Sequence, residues 1–227
     1  MRRLEVTGKV PSEKVSAWKG KHPRRSHWKR TITADSAVYC NGKLVVAALR
    51  GQVSSKALER ARPTLYWMER FKSDNRASYA GFKAKSGLKL DGTRERQTRA
   101  YTEDGKRVEV ASMIAGYMTP QGGRLPYCRK TGFLREYPER WASVEPALRE
   151  VGRSFKKHFP GRYAAQMDYV NRSHTAWVID GTPFTTITVN NSVPAAYHQD
   201  AGDLKEGLGC MLVLREGSYR GFELVVP

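Results

Sequence analysis

At 227 residues and 40% apolar composition the chain is long enough to bury one sizeable core. Its 40 Lys and Arg against 22 Asp and Glu give a net charge of +18 and a pI near 10.0. No apolar run approaches the length of a membrane-spanning helix, and the start, Met1-Arg2-Arg3-Leu4-Glu5-Val6-Thr7-Gly8, has no hydrophobic signal region, so a soluble, cytoplasmic protein is expected. Three widely spaced cysteines, Cys40, Cys128 and Cys210, with no Cys-x-x-Cys pair, argue against a disulfide framework and structural zinc and for buried reduced thiols.

Such a charge balance favours a polyanionic partner, most simply nucleic acid, through phosphate neutralisation and counterion release; a generically basic surface is the alternative. The charge is unevenly placed. Residues 1–110 hold 26 basic and 11 acidic side chains, a net of +15, whereas residues 111–227 hold 14 and 11, a net of +3.

In chain order, residues 8–30 interleave Trp18 and Trp28 with Lys19, Lys21, Arg24, Arg25, Lys29 and Arg30. Such a segment either holds phosphates and stacks on bases, or is an arm whose tryptophans dock on the core. Residues 37–50 read as a hairpin, because Asn41-Gly42 between apolar runs is a strong turn signal. Ser54-Ser55 caps a helix through Ala57, Leu58, Ala61, Leu65 and Met68, which Pro63 is expected to break or restart. Residues 72–108 are polar and basic, and read either as a solvated loop or as a DNA-contacting insertion. Trp141, Val144, Ala147, Leu148, Val151 and Phe155 have helical periodicity over residues 137–159, and Pro160-Gly161 ends that helix. Residues 162–179 alternate loosely, which suggests a further strand; His174 within it is read as a surface or hydrogen-bonded histidine.

The most informative stretch follows. Phe184-Thr185-Thr186-Ile187-Thr188-Val189-Asn190 is β-branched and aromatic, lies between turn residues, and reads as a strand. After it comes Tyr197-His198-Gln199-Asp200-Ala201-Gly202-Asp203. In extended chain, residues i and i+2 face the same way, so His198 and Asp200 can share one metal. With a second histidine such a pair makes the facial triad of non-heme Fe(II) oxygenases, which leaves positions open for a co-substrate and dioxygen.

Residues 185–226, "TTITVNNSVPAAYHQDAGDLKEGLGCMLVLREGSYRGFELVV", resemble the TET and J-binding-protein family of 2-oxoglutarate- and Fe(II)-dependent nucleic-acid oxygenases, including its phage members. The order of features matches: a strand ending in an Asn-rich turn, His-x-Asp, an acidic residue three positions on at Asp203, then Gly207 and Gly209 leading into an apolar strand over residues 210–214. "LPYCRKTGF" at 125–133 is similar to a segment that precedes the core in phage members. The resemblance implies an α+β domain with a double-stranded β-helix, or jelly-roll, core flanked by helices. It also implies Fe(II) held by His198 and Asp200, 2-oxoglutarate as co-substrate, and DNA as partner. The reaction it implies is hydroxylation of a pyrimidine 5-methyl group, with 5-methylcytosine favoured over thymine. If the chain is phage-encoded, its compartment is the host cytoplasm.

Two further residues take candidate roles. Asp203 stands where the family places a base-contacting Asn or Asp; it either accepts from cytosine N4 or from a pyrimidine N3–H, or caps the turn before Gly207. Arg129 either clamps a carboxylate or phosphate, since guanidinium binds both bidentately, or is a plain surface arginine. The family completes its triad with a distal His and a following basic residue, yet no histidine follows His198. The expectation is therefore a basic arm over 1–35 and an oxygenase-like domain over 36–227, with a basic insertion at 72–108 and C-terminal strands missing. The distal His would come from a missing C-terminal segment or a second chain. The alternative function is an inactive or fragmentary nucleic-acid-binding protein that retains part of the oxygenase fold.

Overall fold

The structure is a computed structural model, which describes residues 1–7, 10–73, 76, 79–88, 94–102, 104–118, 127–198, 204, 207–218 and 224–226, with residues 83–88 and 94–100 described by backbone alone. The elements in order are β1 (Arg2–Val6), α1 (Ser12–Trp18), β2 (Ser36–Cys40), β3 (Lys43–Ala48), α2 (Ser55–Trp67), β4 (Lys83–Leu88) and β5 (Arg94–Tyr101). They continue with β6 (Ser112–Met118), β7 (Arg129–Lys130), α3 (Gly132–Glu136), α4 (Pro138–His158), α5 (Pro160–Val170) and β8 (Thr186–Asn190). Three small sheets result, ordered β1-β2-β3, β4-β5 and β7-β6-β8. This is a mixed α+β architecture, and the described strands do not assemble a jelly roll.

The β2–β3 turn forms where the sequence places it, with Asn41 and Gly42 both at positive φ (51° and 72°), the geometry that a two-residue hairpin turn demands. β1 joins this hairpin in parallel through β2, so a strand forms within the segment read as a basic arm. Ser54 caps α2 by accepting from the Ala57 amide, and α2 runs unbroken through Pro63. Pro63 removes the bond to the Glu59 carbonyl, but both residues lie on the exposed face, where solvent satisfies that carbonyl.

The core forms where α2 crosses α4. Ala57, Ala61, Leu65 and Met68 recur on one face of α2 and meet Trp141, Val144, Ala147 and Leu148 of α4, joined by Phe133, Leu134, Ala115 and Ile179. Ala61 and Ala147 are fully buried, and their small side chains let the two backbones approach. Across the same layer Thr64 Oγ1 and Ser143 Oγ are hydrogen-bonded at 2.8 Å. Ile187 and Val189 of β8 pack on this core from the sheet side.

Four expectations are corrected. Within the stretch 72–108, residues 83–88 and 94–101 are not loop, since β4 and β5 pair there as an antiparallel ribbon. Residues 162–179 hold α5 rather than a strand, because Pro160 starts a helix at its first position and buried Gln166 and Val170 lie four residues apart on one face. The apolar run 210–214 forms no ladder among the described residues. Leu212 and Leu214 pack on the core while Met211 and Val213 are each 68% exposed, so the chain keeps the alternation of a strand without a described partner. Of the three thiols only Cys40 is buried; Cys128 is half-buried and Cys210 exposed. No helix among the described residues is long and apolar enough to cross a membrane.

Candidate iron site at the end of the last described strand

β8 pairs antiparallel with β6, from Ser112 opposite Asn190 to Gly116 opposite Thr186. At its end the chain is held by both backbone and side chains. Ser112 Oγ donates to Asn190 Oδ1 at 2.6 Å, the Asn191 amide donates to the Ala111 carbonyl at 2.9 Å, and Asn191 Nδ2 donates to the Leu65 carbonyl at 3.3 Å. The Asn-rich turn predicted from sequence is thus pinned to both the sheet and the end of α2. Ser192 directly after it adopts the left-handed conformation, at φ 52°.

Three backbone hydrogen bonds then fix the approach to His198. The Ala196 amide donates to the Tyr79 carbonyl at 2.9 Å, the Tyr197 amide to the Lys21 carbonyl at 3.0 Å, and the Gly20 amide to the Tyr197 carbonyl at 2.8 Å. Ala196 is buried. The segments around residues 20, 79 and 197 therefore meet at one place, although they are far apart in sequence.

His198 sits on the exposed rim of this junction. Its Nδ1 is 2.8 Å from the Ala196 carbonyl, which can only accept, so Nδ1 carries the proton and, in the neutral ring, Nε2 is the nitrogen that offers a lone pair. A backbone carbonyl on the other ring nitrogen is the usual device by which proteins orient a metal-ligating imidazole. The Tyr79 ring meets the His198 ring edge-on, with centroids 4.5 Å apart. Tyr79 is itself tied to β8, because Asn190 Nδ2 donates to its hydroxyl at 3.3 Å. Asp200 and Asp203 lie outside the described residues. Among the described residues no group of three or more His, Cys, Asp or Glu is placed to hold a metal.

Arg129 lies in β7, opposite Met118 of β6, on the same sheet that carries β8 towards His198. Its Nη1 is buried and has no hydrogen-bond partner. A buried cationic donor without a partner carries a desolvation penalty of about 1–3 kcal/mol or more, so the position is suited to an incoming anion. Beyond the motif in sequence, the Leu208 amide donates to Gln166 Oε1 of α5 at 2.9 Å.

Sequence reasoning missed Tyr79 and left the role of the arm open. Trp18 stacks on His27, with centroids 4.2 Å apart and planes 9° from parallel, and on Tyr197 at 5.5 Å. His27 Nδ1 accepts from the Arg24 amide, so the Tyr197 hydroxyl at 3.3 Å is a second donor to it. Burial raises the Tyr197 pKa, which keeps that phenol protonated. Trp18 is therefore a docking anchor, a role that alternation or periodicity has no means of signalling. His174 plays no part here: its Nδ1 accepts from the Ala176 amide and caps the short turn at Thr175–Trp177.

Residues 112–227 match the Tet_JBP family, described as the oxygenase domain of the 2OGFeDO superfamily. Thymine dioxygenase JBP1-B of Trypanosoma cruzi (strain CL Brener) is 39% identical over 119 residues, which are 51% of this chain and 14% of that protein. Thymine dioxygenase JBP1 of Trypanosoma brucei brucei is 36% identical over 123 residues, 52% of this chain and 14% of the relative. Thymine dioxygenase JBP1 of Leishmania braziliensis is 34% identical over 114 residues, 50% of this chain and 14% of the relative. The matched stretch thus spans about one seventh of the length of these curated relatives. No solved structure matches the chain. With half of its length inside the family, and with the His-x-Asp turn and Arg129 in that half, the chain belongs to the Tet_JBP family of 2OGFeDO oxygenase domains, whose cofactors are Fe(II) and 2-oxoglutarate.

Proposed function

We propose that the chain is a 2-oxoglutarate- and Fe(II)-dependent dioxygenase that hydroxylates the 5-methyl group of a pyrimidine base in DNA. The observation that carries this reading is an imidazole oriented by a backbone carbonyl, His198, eight residues beyond β8, together with a buried, unpartnered Nη1 on Arg129 in β7 of the sheet that holds β8. These donors fit the group. A neutral imidazole with its lone pair on Nε2 and the carboxylate of Asp200 suit a borderline-hard divalent iron, and Arg129 suits a dicarboxylate. The jelly-roll core belongs to the same reading, with β6 and β8 as two of its strands.

When bound, Fe(II) and 2-oxoglutarate supply the dioxygen activation that oxidises an unactivated methyl group. The rest falls to the chain. His198 and Asp200 hold the metal, and the Ala196 carbonyl keeps the imidazole from rotating. Arg129 pairs with a carboxylate of the co-substrate. Asp203 accepts from the base, from N4 of 5-methylcytosine or N3–H of thymine, after the nucleotide has left the duplex, since stacking blocks the methyl within it. Both bases carry the same reactive methyl, and the relatives named thymine dioxygenases favour thymine at least as much as 5-methylcytosine.

Anaerobic addition of Fe(II) and 2-oxoglutarate to the purified chain should produce the weak visible charge-transfer band of their chelate. His198→Ala and Asp200→Ala should abolish it, and Arg129→Met should weaken 2-oxoglutarate binding about 10- to 100-fold, the worth of a charge-assisted pair. Duplexes carrying thymine or 5-methylcytosine, digested and analysed by mass spectrometry, then report the base that gains a hydroxyl. A wild-type chain that shows no band overturns the reading.

A further inference from the structure

The family match begins at residue 112, so the N-terminal residues that grip Tyr197 are outside it. They show a division of labour. Trp18, Pro23, His27 and Trp28 are half-buried, whereas Lys19, Lys21, Arg24, Arg25, Lys29 and Arg30 are exposed. Residues 14–34 contain no Asp or Glu, and none of these six cations makes an ion pair among the described residues. Arg25 is partly engaged, donating to the Trp28 carbonyl at 2.9 Å and lying over its ring.

The segment is docked by its rings and by the paired backbone bonds between Gly20, Lys21 and Tyr197, one residue before His198. A run of like charges without counter-ions repels itself, so holding it against the site is unfavourable unless an anion is recruited there. Rings turned inward and cations turned outward, at the rim that carries His198, suit a polyanion lying across the site. They do not suit a base-stacking platform, because the ring of Trp18 is already covered by His27 and Tyr197.

We infer that residues 18–30 form a docked strap whose aromatic side holds the His198 turn in place and whose cationic side binds the phosphodiester backbone of the DNA substrate next to that turn. The inference rests on the reading of the chain as a DNA oxygenase and adds the element that positions the strand. Trp18 acts as a positioning residue, through the strap, and Lys19, Lys21, Lys29 and Arg30 supply phosphate contacts.

The test measures binding of a fluorescent duplex by the full chain as a function of salt, with the Fe(II)–2-oxoglutarate band read on the same samples to report the iron site. Replacing Lys19, Lys21, Lys29 and Arg30 together by Gln should remove at least two phosphate contacts. The slope of log affinity against log salt would then flatten by about 2, so that a fourfold rise in salt costs the variant about tenfold less than the wild type. Trp18→Ala, which removes no charge, should flatten the slope similarly, and Trp18→Phe should restore it. A quadruple variant with the wild-type slope, or a folded Trp18→Ala chain with it, overturns the strap and leaves the oxygenase reading standing. A wild-type chain that shows the iron band but binds no duplex at low salt overturns the strap and DNA as the substrate together.

Discussion

The α2–α4 layer and the His198 turn are built on opposite principles. In the layer, apolar side chains at helical spacing bury one another, and the residues that matter most are fully enclosed: Phe133 is 1% exposed and Val144 1%. In the turn, Ala196 is the buried anchor, and the rest is held by single hydrogen bonds and stacked rings contributed by segments from residue 18 to residue 79. Burial supplies most of a domain's stability, whereas a few directed contacts fix the aim of an exposed side chain such as His198 at little cost or gain in free energy. Stability and candidate chemistry are thereby separated in space, which leaves the proposed ligand His198 open to solvent.

The sharpest way to break this contrast is to empty the layer. Phe133, surrounded by Trp67, Phe71 and Tyr137, should lose about 3–5 kcal/mol on replacement by Ala, read as a lower urea midpoint at unchanged slope. The iron band should survive in whatever fraction remains folded. Gly116 joins the two regions. It adopts φ 133°, and a Cβ there would overlap the Thr185 carbonyl and approach Thr186 Cα to 2.7 Å, so Gly116→Ala should cost about 3 kcal/mol through strain and overpacking. Because it spreads β6 from β8, it should weaken the iron band as well, unlike Phe133→Ala at matched folded fraction.

A smaller effect is expected at Glu150. Its carboxylate accepts from the Ser54 amide and the Ser54 hydroxyl, tying the start of α2 to α4. The Ser54 amide is the main reason its pKa lies below the ordinary glutamate value; partial burial opposes this, and the Ser54 hydroxyl and Arg153 assist. A depressed folded pKa means that this stabilisation is fully present above the ordinary glutamate range and is lost as pH falls through the folded value. Glu150→Gln should therefore cost about 1 kcal/mol near neutral pH, and its thermal-melt curve should converge with the wild type in acid. The smallest change in stability is expected at the proposed iron ligand. His198→Ala should alter unfolding by less than about 0.5 kcal/mol while abolishing the iron band, and a drop of several kcal/mol would show that the turn is part of the core after all.

Much of the scaffold was legible because its signals are local. Asn41-Gly42 can hardly be anything but a turn, Ser54 precedes a helical stripe, the periodicity from Trp141 to Phe155 is unambiguous, and the β-branched run before Asn190 makes a strand. Where local signals were weak, tertiary context decided otherwise. Pro63 was tolerated because it faces solvent, the loose alternation of 162–179 yielded to a helix that buries Gln166 and Val170, and residues 83–88 and 94–101 of the basic stretch paired as a ribbon. The candidate site divides in the same way. The His198-x-Asp200 spacing was readable, yet the contact of Tyr79 with His198 was not, and nothing in the sequence chose between stacking and docking for Trp18.

The amino-acid sequence by itself determined the charge asymmetry, the turn that ends β8, and the imidazole and carboxylate two residues apart, because each depends on composition or on neighbours along the chain. The tertiary structure alone decided that His27 reaches Tyr197 across 170 residues, that His198 is held on Nδ1 next to the Tyr79 ring, and that Arg129 Nη1 is buried without a hydrogen-bond partner. Those contacts depend on which surfaces the packed core brings together, and that is fixed by the burial of the whole chain rather than by any local run of residues.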